Sequence, residues 1–75
     1  MNLLIDNIKK ETPDNLSISM LGKEREWGVL LNRGRYTSCC VMLKSVSMSD
    51  FIECLTYCAS NNIRVKFTDD FISPI

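Results

Sequence analysis

The chain has 75 residues, of which 45% are hydrophobic and 24% charged, the balance of an ordinary globular domain. Nine basic and nine acidic residues cancel, so no net charge draws the whole chain to nucleic acid or to an anionic membrane. No apolar run reaches the roughly 20 residues that cross a bilayer. We therefore expect one small domain over residues 1–75, cytoplasmic in a bacterial or host cell, with its four cysteines reduced.

Hydrophobic periodicity predicts six elements along the chain. In order they are a short helix at 3–10, strands at about 16–20, 26–31 and 36–43, a long helix at 47–62 and a strand at 63–67. The strands alternate with a period of two, except the third, which is apolar on both faces. The sequence therefore predicts an α+β fold of order α-β-β-β-α-β. Its simplest packing is a small antiparallel sheet of three to four strands with helices on one face.

The segment 47–62 has the clearest helical period, and the rest of the chain is expected to pack around it. The residues predicted to face the core recur at steps of three and four: Phe51, Ile52, Leu55, Cys58 and Ala59. Ser47 is a good N-cap because its hydroxyl accepts a bond from an unpaired backbone N–H. Asn61 and Asn62 are expected to end the helix, since asparagine tolerates the left-handed conformation found at many helix ends. The outer face, around Glu53 and Tyr57, is then free to contact a partner.

The sheet face away from the helices is predicted to be mixed in polarity. It carries Ser17, Ser19, Leu30, Arg64 and Lys66, with either Thr37, Cys39 and Val41 or Ser38 and Cys40 from the third strand. Such a face is either solvated or a binding surface. A homodimer that uses the fourth strand as an edge is a further alternative.

The sequence lacks the residues of the common catalytic and metal sites. There is no histidine, which excludes serine–histidine and cysteine–histidine catalysis within one chain. Adjacent Cys39 and Cys40 point to opposite faces of a strand, and Cys54 and Cys58 lack the C-x₂-C knuckle of zinc sites. We therefore predict a protein that is not an enzyme, with no metal and no cofactor. Cys58, and either Cys39 or Cys40, are expected to act as small buried hydrophobic residues.

A chain without this chemistry is expected to act through its surface. The leading interpretation is a protein-interaction module that binds a larger protein or protein complex, including one that itself binds nucleic acid. Small phage and mobile-element proteins that inhibit host machinery, such as anti-CRISPR and other anti-defence proteins, offer the nearest analogy in size. An acidic patch would face basic residues of such a partner. The candidate contact residues are Asp50, Glu53, Tyr57, Asp69 and Asp70.

The second interpretation is a small nucleic-acid-binding regulator. Its candidate residues, which belong to the hairpins and the last strand, are Lys23, Arg25, Arg33, Arg35, Arg64 and Lys66. Trp27 and Tyr36 lie close to them in sequence, and basic residues among aromatic ones bind phosphates and stack bases. Helix, three strands, helix is also the order of double-stranded-RNA-binding domains, but those place lysines where residues 47–50 have none. The sequence thus indicates no family, and direct nucleic-acid binding ranks below protein binding.

Overall fold

The computed structural model describes residues 2–67. Its elements are α1 (Leu3–Glu11), β1 (Asn15–Leu21), β2 (Glu26–Arg33), β3 (Tyr36–Met42), a 3-10 turn (Leu43–Ser45), α2 (Met48–Ser60) and β4 (Arg64–Phe67). The predicted α+β order α-β-β-β-α-β is confirmed. Two of the predicted contact residues, Asp69 and Asp70, lie outside the described residues.

Over residues 2–67 the sheet has four strands in the order β3-β2-β1-β4. The hairpin strands pair antiparallel, as predicted, but β4 runs parallel to β1 with Leu16 opposite Val65 and Ile18 opposite Phe67. The sheet is therefore mixed. The reason is that α2 carries the chain back along the sheet before β4 begins, and such a crossover places the next strand parallel.

Both helices begin at the same end of the sheet, where one asparagine links them. The Asn2 side chain accepts a bond from the Ile5 N–H at 3.1 Å, which caps α1, and donates to the Asp50 carbonyl oxygen at 2.9 Å. At the start of α2, the Ser47 hydroxyl accepts from the Asp50 N–H at 3.2 Å, as predicted. The first turns of the two helices are thus held side by side over the sheet.

The core lies between the helices and one face of the sheet. Its buried members are Leu4, Ile5, Ile8, Leu16, Ile18, Val29, Leu31, Val41, Cys54 and Cys58. The predicted inward face of α2 is partly wrong, because Ile52 is 55% exposed and Ala59 is also exposed, whereas Cys54 is buried. The helix is rotated so that its two small thiol side chains, four positions apart, face the sheet.

Strand β3 contains a bulge that decides which of its side chains face the core. Leu31 pairs with Cys39 and Asn32 pairs with Thr37, so Ser38 is an extra residue in β3. A bulge interrupts the alternation of side chains. As a result, Cys39 packs against the core while Thr37 lies on the opposite, open face, and neither alternation predicted for this strand holds throughout.

Candidate functional site

Three predicted contact residues of α2 lie together on its side facing α1. Asp50 and Glu53 both meet Asn2, whose Nδ2 is 2.9 Å from the Asp50 carbonyl oxygen and 3.4 Å from Glu53 Oε1. Tyr57 is half-buried, and the Lys9 ammonium lies 5.8 Å from the centre of its ring. The side chains of Glu53 and Tyr57 and the backbone carbonyl of Asp50 therefore take part in the contact between the helices.

The six predicted basic residues are distributed over three places. They are Lys23 with Arg25 in the β1–β2 turn, Arg33 with Arg35 at the β2–β3 turn, and Arg64 with Lys66 on β4. The two turns lie at opposite ends of β2, whose eight residues span about 25 Å. The structure therefore does not join all six into one patch.

A row of polar side chains crosses the open face of the sheet. Asn32 Nδ2 donates to Asn15 Oδ1 and to Ser17 Oγ, both at 2.9 Å, and Thr37 Oγ1 donates to Asn32 Oδ1 at 2.7 Å. The sequence interpretation missed Asn32 because it assigned this residue to a turn. The row connects three strands, so it fixes their register on this face.

A cleft of about 290 Å³ adjoins this row; its lining residues are Asp14, Asn15, Asn62, Arg64 and Lys66. Asp14 Oδ2 accepts a bond from the Gly34 N–H at 2.8 Å. That bond, then the Asn15 amide and the charge of Arg33, lower the pKa of Asp14 below its ordinary value of 3.8. The cleft therefore combines two cations and two amides with one ionised carboxylate, a mixed lining that favours anions only weakly.

An apolar groove lies at the other end of the sheet, where α2 begins. We call it the aromatic groove; it has a volume of about 220 Å³ and is lined by Ile18, Trp27, Leu43, Phe51 and Phe67. Trp27 is 42% exposed and Phe67 66% exposed, so neither is covered as a core residue would be. The sequence left two interpretations of Trp27 open, a core residue that alternates with Val29 and Leu31 or an aromatic residue beside the basic hairpins.

Exposed apolar side chains continue from the aromatic groove onto α2. Met48 is 70% exposed and Ile52 is 55% exposed, and both lie within one turn of Phe51. The physical reason is the size of the helical layer. The thirteen residues of α2 rise by only about 20 Å, so this end of the sheet has less cover than the centre. The sequence signal for this exposed end of the sheet is the predicted length of the helices compared with that of the strands.

Charged residues border the aromatic groove. Lys44 Nζ lies 3.0 Å from Glu26 Oε2, an ion pair that joins the 3-10 turn to the start of β2. A second depression of about 380 Å³ beside it is lined by Arg25, Glu26, Trp27, Leu43 and Lys44 and shares two residues with the groove. The surface thus has an apolar centre with charges of both signs beside it, the usual arrangement of protein–protein interfaces.

Three further observations concern metal binding, the buried thiols and membrane insertion. Within residues 2–67, no three histidine, cysteine or acidic side chains are grouped so that they could hold a metal ion. Burial raises the pKa of the Cys54 thiol to about 12 and also raises that of Cys58. In the same part of the chain, no helix is both long and apolar enough to cross a membrane.

Comparison with known proteins gives no relative from which a function could be transferred. No family model matches the chain, and neither a curated protein nor a solved structure shows significant similarity to it. The function of this chain is therefore inferred from the surfaces described above.

Proposed function

We propose that this chain is a non-catalytic protein-interaction module that binds a larger partner through the aromatic groove. The exposure of Phe67 (66%) and Trp27 (42%) around Ile18 carries the proposal. Exposed apolar clusters rimmed by polar residues are typical of protein interaction sites, and aromatic residues are enriched among the contacts that contribute most to binding.

The groove favours a partner that inserts one large apolar side chain. Its volume of about 220 Å³ leaves room for little more than that, and Met48 and Ile52 extend the apolar contact along α2. Outside this centre, Lys44 and Glu26 present both charge signs to the partner's polar rim. A domain that acts in this way modulates its partner by covering a surface on it. The effect that we propose for this binding is inhibition of a larger complex.

The acidic contacts predicted from the sequence remain part of this proposal as secondary contacts. Asp50 and Glu53 lie near the start of α2, on its side facing α1, where they meet Asn2. Asp69 and Asp70 lie outside the described residues, so their contribution stays a prediction. Charge reversal at these positions should weaken partner binding less than loss of the groove does, since exposed ion pairs contribute about 0 to 1 kcal/mol.

The test is affinity capture of the tagged chain from host lysate, with and without nuclease, followed by mass spectrometry and repeated with two variants. Phe67→Ser removes an exposed groove residue, and we expect a loss of at least tenfold in the captured partner. Tyr36→Ser is the matched control, because Tyr36 is an exposed aromatic residue, 81% accessible, at the opposite end of the sheet. A partner that binds Phe67→Ser as strongly as the unmodified chain would contradict the proposal.

A second candidate function is nucleic-acid binding at the cleft beside β4. Arg64 and Lys66 line this cleft with the amides of Asn15 and Asn62, and no ion pair within residues 2–67 involves either cation. The ionised Asp14 in the same cleft opposes a phosphate, which is why this function ranks second. Binding of DNA or RNA should weaken steeply with salt and fall when Arg64 and Lys66 become alanine. Absence of any binding at low salt would exclude it.

A further inference from the structure

The two edges of the sheet differ in how well they are protected against pairing with another strand. At one edge, β4 has four residues and exposes Arg64 and Lys66. In an antiparallel pairing centred on Val65, Arg64 would stand opposite Lys66 of a second copy, and directly opposed like charges are unfavourable. Short length and positive charge are two of the devices by which natural proteins protect sheet edges. This edge therefore disfavours self-association.

The other edge lacks these devices. Strand β3 has seven residues, YTSCCVM, without a charged side chain or a proline. Among the strands of residues 2–67 it pairs with β2 only. Its one irregularity is the bulge at Ser38, near its start, after which the pairing with β2 is regular through Met42. An uncharged strand of this length at a sheet edge readily pairs with another strand.

We propose that the protein forms a homodimer in which β3 pairs antiparallel with β3 of a second copy. Two sheets of four strands then become one continuous sheet. A two-fold axis places one residue of an antiparallel pair opposite its own copy. We place the axis at Cys40, within the regularly paired stretch Cys39–Met42, so that Cys40 stands opposite Cys40 of the second copy and Cys39 opposite Val41.

A second copy fits this edge better than an unrelated strand for two reasons. First, β3 carries no charge, so its own copy meets no like-charge repulsion and needs no complementary charge. Second, the pairing is closed: for the sheet formed by residues 2–67, once β3 is used the outer edges of the dimer are both β4, which Arg64 and Lys66 protect. The assembly therefore stops at two chains. A domain of this size buries only about 60% of its unfolded surface and gains stability from such an interface.

The dimer and the proposed partner binding involve different parts of the molecule. Phe67 and α2 lie toward the β4 edge, whereas Cys40 lies on the β3 edge with two strands between them. Each chain of the dimer would then keep its own aromatic groove. The two proposals can fail independently, since one is measured by mass in solution and the other by partner capture.

The first experiment is the mass of the full chain in solution under reducing conditions, by light scattering over a range of concentrations. We expect a concentration-dependent approach to twice the chain mass of 8.6 kDa. A mass of one chain at all concentrations up to about millimolar overturns the proposal. In that case a strand from another protein is the expected partner of the β3 edge.

Two substitutions at Cys40 test whether β3 forms the dimer interface. Cys40→Lys introduces a like-charge pair at the centre of the proposed ladder, and we expect a shift to the mass of one chain. Cys40→Ser is the matched control and should keep the dimer. Circular dichroism shows whether Cys40→Lys remains folded. A folded Cys40→Lys variant that is still fully dimeric overturns the β3 assignment.

Oxidative cross-linking tests the same register without a destabilising variant. Directly opposite residues of antiparallel strands have Cα atoms about 4.5 to 5.5 Å apart, within the range that a disulfide spans. Diamide should oxidise the two Cys40 thiols to a disulfide, itself taking up the two electrons and two protons. We expect a covalent dimer from the unmodified chain and from Cys39→Ser, and none from Cys40→Ser. A dimer that forms equally well in Cys40→Ser overturns the register.

Discussion

Asn2 and Asp50 are 48 positions apart in the chain, yet Asn2 Nδ2 donates a hydrogen bond to the Asp50 carbonyl oxygen at 2.9 Å. The same side chain accepts from the Ile5 N–H at 3.1 Å. One buried amide therefore satisfies a backbone group at the start of each helix. The Ile5 N–H lies in the first turn of α1 and has no helical acceptor, whereas the Asp50 carbonyl also accepts the regular helical bond of α2. Loss of the amide therefore removes the cap of α1 and the bond that ties it to α2.

Asn2→Ala should lower the free energy of unfolding by about 1 to 2 kcal/mol, mainly from the lost N-cap of α1, with the bond to the Asp50 carbonyl lost as well. Urea denaturation measures the change. Asn7→Ala is the control, because the Asn7 amide bonds to α1 and β3 instead of α2: it donates to the Leu3 carbonyl at 2.8 Å and accepts from the Cys39 thiol at 3.7 Å. Equal losses in the two variants would show that Asn2 does not link the helices.

A second prediction concerns Ile8 and Ile52, which have the same side chain in different environments. Ile8 is 2% exposed and Ile52 is 55% exposed. We expect Ile8→Ala to cost about 2 to 5 kcal/mol of unfolding free energy and Ile52→Ala to stay within about 0.5 kcal/mol. The free energies of unfolding of the two variants, measured by urea denaturation, can be compared directly because the substitution is the same. Similar losses at both positions would mean that Ile52 faces the core after all.

The sequence predicted the ends of α2 well and its buried face less well. Capping is local chemistry, so Ser47 and Asn61 were sufficient to place the boundaries. The rotation of the helix depends on which side chains fit against the sheet. The small side chain of Cys54 is buried against the sheet and the larger side chain of Ile52 is exposed. Which of the two is buried depends on contacts with residues far away in sequence.

The same limit applies to β3 and to the aromatic groove. Alternation predicted strand β3, but the bulge at Ser38 results from how Asn32 pairs with Thr37 across the hairpin, which a pattern within one strand cannot show. Trp27 has the alternation of a core residue and lies on the inner face of β2. It remains 42% exposed only because the helical layer does not cover it. Exposure of this kind depends on the whole fold.

Asp14 should make stability depend on pH in the acidic range. Its folded pKa lies below the ordinary 3.8, mainly because the Gly34 N–H bonds to the carboxylate. A depressed folded pKa contributes stability that is present above the unfolded pKa and is lost as the pH falls through the folded one. We therefore expect Asp14→Ala to unfold at lower urea concentration than the unmodified chain at neutral pH, with the difference disappearing in strong acid. A difference that does not change with pH would contradict this assignment.

The four cysteines should differ in their reaction with iodoacetamide. Only the thiolate reacts, and at pH 8 a thiol with the pKa of about 12 found for Cys54 is ionised to roughly one part in ten thousand. Cys54 and Cys58 are also buried, whereas Cys40 is exposed. Mass spectrometry of the reduced, folded protein should show label at Cys39 and Cys40 before Cys54 and Cys58, which should react only after denaturation. Early labelling of Cys54 would show that α2 opens readily.

Trp27 is the only tryptophan of the chain, and it lines the aromatic groove while still 42% exposed. Its indole emission therefore comes from one place, and the light it emits depends on how much water surrounds it. Any molecule that fills the groove removes that water and shifts the emission to shorter wavelength. Trp27 is thus an intrinsic fluorescence probe of binding in the aromatic groove, which allows a binding partner to be titrated without an attached dye.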